Sequence, residues 1–237
     1  MLDLIYKDIV QNRKLILLYA LIGGFIGLAM MMASGSDMAG VFTAYVMIST
    51  YGFALRSTYD EDKSGAYLFL KSLPLSDAAI VTSKFVSVFA VSVILVIFFN
   101  ITAVFGAYLA SSGIIPGFGP AVGTPGTVDV AAILGENAVS FAMVFSMAMV
   151  VTGVYLVMFF WVGFAKASAY SRAILFAIFA LVMIGVGSAG RSPAIQNLAL
   201  TIETSSWVSV VSVVIGLVVY WICCAVSVLK VAMKDWS

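Results

Sequence analysis

The chain contains no histidine, and charged residues occupy only 10% of its 237 positions. The first absence removes the commonest general base and the commonest metal ligand. The second concerns solvent. A water-soluble domain carries about 25% charge, whereas this chain is 63% apolar with a mean hydropathy of +1.14. Too few polar groups exist to cover a water-facing surface, so the surroundings must be largely lipid. A net charge of +1 supplies no field that would gather nucleic acid. The two cysteines, Cys223 and Cys224, are adjacent in an apolar run. Neighbours on a helix point apart and do not form a structural disulfide, so they read as small membrane-buried residues. All five prolines (Pro74, Pro116, Pro120, Pro125 and Pro193) fall between apolar runs. The broken helices with which many transporters hold ions at the midplane therefore have little signature here.

Six apolar runs are present: Leu15–Ala33, Met38–Leu55, Ile80–Ala110, Ala138–Ala165, Ala173–Ala189 and Trp207–Leu229. Each approaches or exceeds the roughly 17–20 residues that cross a hydrocarbon core. The third and fourth are long enough to tilt or to extend beyond it. The pattern predicts an all-α membrane protein of six transmembrane helices forming one domain over residues 1–237. The first run is preceded by fourteen residues and is longer than a signal-peptide core, so it reads as a retained span. With both termini in the cytoplasm, Lys7, Arg13, Lys14, Arg56, Lys63, Lys71, Lys84, Lys166, Arg172, Lys230 and Lys234 lie inside and only Arg191 outside, an asymmetry among the 12 basic residues that the opposite topology would invert. Between the third and fourth runs, Ser111–Thr127 holds five glycines and three prolines and reads as an irregular outer loop. A second outer segment, Gly190–Ser206, has room for a short helix over Ala194–Thr201.

Residues 1–14 are amphipathic. Leu2, Ile5, Tyr6 and Ile9 share one helical face, and Asp3, Lys7, Gln11 and Lys14 the other. Asp3 and Lys7 are spaced for an i,i+4 pair. Such a helix lies flat at the inner membrane surface; the alternative is a charged flank that only fixes topology. The cytoplasmic loop of residues 56–77 opens with an acidic cluster, Asp60, Glu61 and Asp62, followed by Lys63. A short apolar run, Ala66–Leu70, then leads to Lys71 and Pro74. Acid at its start and base at its end suit a short helix, which Pro74 stops. Ser76 or Asp77 can cap the next span. Tyr67, Leu68 and Phe69 would be presented either to a protein partner or back to the bilayer surface.

The stretch Asp60–Phe85, DEDKSGAYLFLKSLPLSDAAIVTSKF, resembles the corresponding loop of the ABC type-2 (ABC-2) permeases. The shared features are the acidic/Lys/Ser/Gly cluster Asp60–Gly65, the Leu-Pro-hydrophobic-Ser turn Leu73–Ser76, and the Val-x-Ser-Lys-aromatic start of the third span, Val81–Phe85. Asp77 departs from the pattern, which often has a basic residue there. The resemblance implies a permease of the bacterial cytoplasmic membrane that pairs with a second copy or a homologue. It also implies cytoplasmic ABC ATPase subunits that bind ATP and Mg, coupled through Asp60, Glu61, Asp62, Lys63, Tyr67, Leu68, Phe69 and Lys71. Similar small permeases serve exporters of amphipathic or antimicrobial peptides, those of phenol-soluble modulins among them. The chain itself contains no G-x-x-x-x-G-K-[ST] and no Gly-Lys pair, so it cannot build the usual phosphate cradle. No cofactor, metal or nucleic acid is expected on it.

Inside the spans, charge is scarce. Lys84 lies one turn into the third run and is expected to snorkel to the inner face. Asn100 lies deep in that run and is expected to bond a neighbouring helix, or to line a substrate path with Phe98 and Tyr155. Glu136 falls just before the fourth run. Gly23 and Gly27 form a G-x-x-x-G that permits close helix approach. The methionines and aromatics of the spans suit an apolar, adaptable lining as well as ordinary packing. Two other classes share much of this pattern: a scaffold or sensor subunit that transports nothing, and an intramembrane enzyme. The second lacks the deep histidines or carboxylates that a metal would need, and its one candidate base, Lys84, lies near the surface. No catalytic residue is assigned.

Overall fold

The structure, a computed structural model, describes residues 2–34, 39–65, 75–111, 130–174 and 206–233. Among these every regular element is helical: α1 (Leu2–Gln11), α2 (Arg13–Ser34), α3 (Ala39–Ser64), α4 (Asp77–Ser111), α5 (Val130–Val162), α6 (164–174) and α7 (Ser206–Ala232). Five of the six apolar runs lie in α2, α3, α4, α5 and α7; the fifth run, from residue 175 on, and the outer segments fall outside the described residues. By length and composition, three described helices can cross a membrane, and a fourth can if α1 and α2 count as one bent span. At 35 residues, α4 is about 52 Å long against a hydrocarbon core of about 30 Å.

Local chemistry sets the boundaries. Asn12 is the elbow between α1 and α2. Its N–H and its side-chain amide both donate to the Asp8 carbonyl, at 3.2 and 3.0 Å, while its own carbonyl accepts from Leu15 and Ile16. The two helices meet there at 63°. At the start of α4, Ser76 rather than Asp77 is the cap, its Oγ accepting from the Ala79 N–H at 3.2 Å. Gly65 and Gly163, with φ of 63° and 82°, sit in the left-handed region that ends α3 and α5 at little steric cost. Two predicted limits move. The second run ends at Leu55, but its helix continues to Ser64. The fourth run starts at Ala138, but α5 already begins at Val130, so Glu136 lies within a helix rather than before one.

The helix α4 is the central element, packing against α1, α2, α3, α5 and α7, while α5 and α7 share the most extensive interface. Phe53, Val81, Phe85, Val88, Phe99, Tyr155, Leu156 and Tyr220 are buried together. Tyr220 ties α7 to α4 by donating to the Phe85 carbonyl at 2.8 Å, with the two rings 5.2 Å apart. The adjacent cysteines do diverge: Cys224 contacts Thr82 on α4, whereas Cys223 lies against Gly153 on α5. Gly23 is occupied within the subunit, where the Tyr45 ring of α3 lies directly over it; Tyr45 also donates to the Tyr19 carbonyl at 3.3 Å and stacks on Phe99.

The amphipathic helix sits differently from its predicted faces. Leu2 and Tyr6 are 81% and 71% exposed, and Val10 also points outward, which suits an outer surface in contact with lipid. Asp8 is buried, and Ile9 packs against the core. Lys7 turns inward to Glu61 and Asp8 rather than along the helix to Asp3.

Candidate functional site

Four charged side chains from three helices meet at one end of the bundle. They are Lys7 and Asp8 of α1, Glu61 of α3 and Lys84 of α4; Asp8, Glu61 and Lys84 are only 3%, 5% and 3% exposed. The Lys84 ammonium donates to Asp8 Oδ2 at 3.0 Å, to Ser57 Oγ at 2.7 Å and pairs with Glu61 Oε1 at 2.9 Å. Three oxygens thus lie within 3.0 Å of a group that carries three N–H donors. Glu61 Oε1 also accepts from Lys7 at 3.1 Å. Lys7 lies 3.4 Å from Asp8 Oδ1, and Ser87 Oγ is 3.1 Å from Asp8 Oδ2. Two cations face two anions, so the charge of the cluster, with Lys7 at its partly exposed edge, sums to zero. Buried ions cost several kcal/mol each unless paired and fully hydrogen-bonded, and here the pairing is complete.

Lys84 therefore does not snorkel. Because α4 begins at Asp77, Lys84 is about two turns into the helix, and α1 and the end of α3 close over it. Nor is Glu61 part of a solvated loop. The acidic cluster lies on the last two turns of α3, where carboxylates oppose the helix dipole. Three contacts offset that: Arg56 pairs with Asp60 at 3.2 Å, Lys63 lies over the Tyr59 ring in the same helix, and Glu61 turns inward to two lysines. Asp62 and Lys63 are exposed. Tyr67, Leu68, Phe69 and Lys71 lie outside the described residues.

Buried Ser57 beside Lys84 has the outline of a serine–lysine pair, but not its chemistry. Here the lysine nitrogen donates to the Ser57 hydroxyl rather than accepting from it, and it is held by the Asp8 and Glu61 carboxylates as well. The adjoining cavity, lined by Leu4, Ile80, Ser83 and Phe160 among others, has a volume of about 10 Å³, about the minimum for one water and far below any substrate. The arrangement ties α1, α3 and α4 together as a joint.

Burial alone would lower the pKa of Lys7, but the Glu61 and Asp8 carboxylates outweigh it and hold the pKa above the ordinary 10.5. A cation raised in this way stabilises the fold fully below its unfolded pKa and ceases to do so as pH rises through the folded value. The thermal midpoint in detergent should show no Lys7-dependent change between about pH 6 and 9, and Lys7→Met should differ from the parent less above pH 10.5 than below it. A Lys7-dependent loss on mild acidification would contradict this assignment.

The other predicted residues lie deeper in the bundle. Tyr155 is fully buried; its hydroxyl bonds Thr58 of α3 and its ring meets Tyr51 edge-on. Asn100 donates to the Val96 carbonyl of its own helix at 2.8 Å instead of to a neighbouring helix. Phe98 is partly exposed beside Gly24 of α2. The structure does not bring these three together. An open hollow of about 470 Å³ lies instead between α5 and α7, lined by Ser146, Met147, Trp207, Val211 and Ser212 among others.

A family model described as ABC-2 family transporter protein matches residues 3–231, nearly the whole chain. The chain belongs to the ABC-2 transporter family. It is thus the multi-pass membrane permease of an ABC transporter, a class that works with an ABC ATPase. No curated protein matches the chain. Within this permease, the residues that sequence reasoning missed are Asp8, Ser57 and Ser87. A signal for them existed. A lysine in an apolar run demands a partner, and Ser83 and Ser87 mark the polar side of that part of α4.

Proposed function

We propose that this ABC-2 permease exports amphipathic or antimicrobial peptides, works as one of two permease subunits with both termini in the cytoplasm, and is driven by ATPases that bind the segment of residues 60–71. The observation that carries the coupling role is the convergence of charge at one end of the bundle. Glu61, four residues before Gly65, and Lys84, seven after Asp77, touch at 2.9 Å, so both ends of the intervening loop hang from the same joint. The basic residues favour the cytoplasm for that end, and Lys230 over the Trp161 ring suits an inner interfacial anchor. The apolar, methionine-bearing spans suit an amphipathic cargo.

The tagged permease, solubilised from its own membranes, should bring down a polypeptide with a Walker motif, and an amphipathic cationic peptide should stimulate its ATP turnover. Leu68→Glu with Phe69→Glu should cut the copurified ATPase by about tenfold, a loss of about 1.4 kcal/mol. Unchanged capture would remove the loop from the ATPase contact. A permease that brings down no ATPase would point to a scaffold or sensor role.

A further inference from the structure

We infer that Lys84 and Asp8 are positioning residues for energy coupling. They lock the last turns of α3 to α1 and α4, so that a push on the following loop moves three helices as one body. This rests on the proposal that the loop receives the ATPase.

Three observations carry it. The first is connectivity. The helix α1 packs along α4 and against α2, and among the described residues its polar links to α3 are Lys7 to Glu61, directly, and Asp8 to Glu61 and Ser57 through Lys84. The second is location. Glu61 lies four residues before Gly65, about 6 Å along a helix. Gly65, with φ 63°, is where the helix ends. The anchored end of α3 thus lies one turn before the chain leaves the helix, so little backbone separates the joint from the loop. The third is chemistry. Replacing a buried ion cluster with apolar side chains is often neutral or stabilising, so stability alone does not account for these four charges. What ions provide is direction. Lys84 holds three acceptors from α1 and α3 at 2.7–3.0 Å, and the adjoining cavity of about 10 Å³ leaves no room for a solvating shell. Apolar surfaces tolerate slippage that this cluster does not.

The test separates bracing from bulk stability by removing charges in balanced pairs. Lys84→Met with Glu61→Gln leaves Lys7 facing Asp8. Lys7→Met with Asp8→Asn leaves Lys84 on Glu61 and frees α1. Each complex would be reconstituted with its ATPase in vesicles, and three quantities measured: thermal midpoint, ATPase retained on the permease, and peptide moved per ATP hydrolysed. Both pairs should keep the midpoint and the bound ATPase but lose about tenfold in peptide moved per ATP, an ordinary coupling energy between sites. Lys84→Arg, which keeps the charge, should lie between the parent and the pairs. Folded complexes with an unchanged ratio would overturn the inference. If one pair fails to fold, the other decides. A parent permease that holds no ATPase would instead refute the docking proposal, a different failure from a bound ATPase with a parental ratio.

Discussion

Lys84→Met alone should remove most of the folded permease from the membrane. The substitution preserves length and apolar bulk, so little packing is lost. What it leaves is Asp8 and Glu61, each no more than 5% exposed, sharing the single, partly exposed ammonium of Lys7. Breaking a buried pair on one side costs about 3–5 kcal/mol because an uncompensated charge stays behind, a large fraction of the 5–15 kcal/mol that holds a domain together. Yield by size-exclusion chromatography and the thermal midpoint in detergent measure it. Adding Glu61→Gln to Lys84→Met should restore most of the loss, the reverse of what independent damage would produce. A single variant as stable as its parent would mean that the four charges do not form one electrostatic unit.

The second large effect is expected at Gly216. A side chain there would begin 2.7 Å from the backbone Cα of Ser146. The obstacle is main chain, so no rotamer change relieves it. Glycine inside a helix costs roughly 0.5–1 kcal/mol relative to alanine, a sacrifice that makes sense only if the close approach of α5 and α7 is worth more. Ser212, one turn earlier, donates to Ser146 at 3.1 Å, and Gly153 faces Tyr220 and Cys223. The seam therefore follows the small-residue pattern of membrane helix pairs. Gly216→Leu should cost about 3 kcal/mol, the upper end for overpacking, and Gly216→Ala less. Val214→Leu, on the outward face of the same helix, should change the midpoint within about ±0.5 kcal/mol. Equal effects at 214 and 216 would show that the seam is not tight.

Much of the helix layout was legible because it follows from solvent. Apolar runs separated by proline, glycine and charge leave few alternatives for α2, α4, α5 and α7. The joint was legible only from the side of Lys84 and its neighbouring serines, and the reason is local. Asp60, Glu61 and Asp62 together look like a solvated turn, since no single-residue property distinguishes the carboxylate that turns inward. Only the helical continuation past Leu55 aligns Ser57 and Glu61, spaced i,i+4, toward Lys84. Asp8 is hidden by its neighbours: the stripe of Leu2, Ile5, Tyr6 and Ile9 reads as an apolar face turned toward the membrane, and Asp8 is not part of it. Asn100 shows the opposite error. A lone amide deep in a span suggests a partner across the bundle, but its own helix satisfies it at Val96.

The distance along the chain between the parts of the joint has a consequence for biogenesis. Asp8 and Lys84 are 76 positions apart, and a ribosome adding about 5–20 residues per second needs about 4–15 s to cover that interval. Throughout it, α1 has no basic partner from α4. Until α4 has entered the membrane Asp8 has only Lys7 beside it, so the joint can close only after the helix that carries Lys84 is in place.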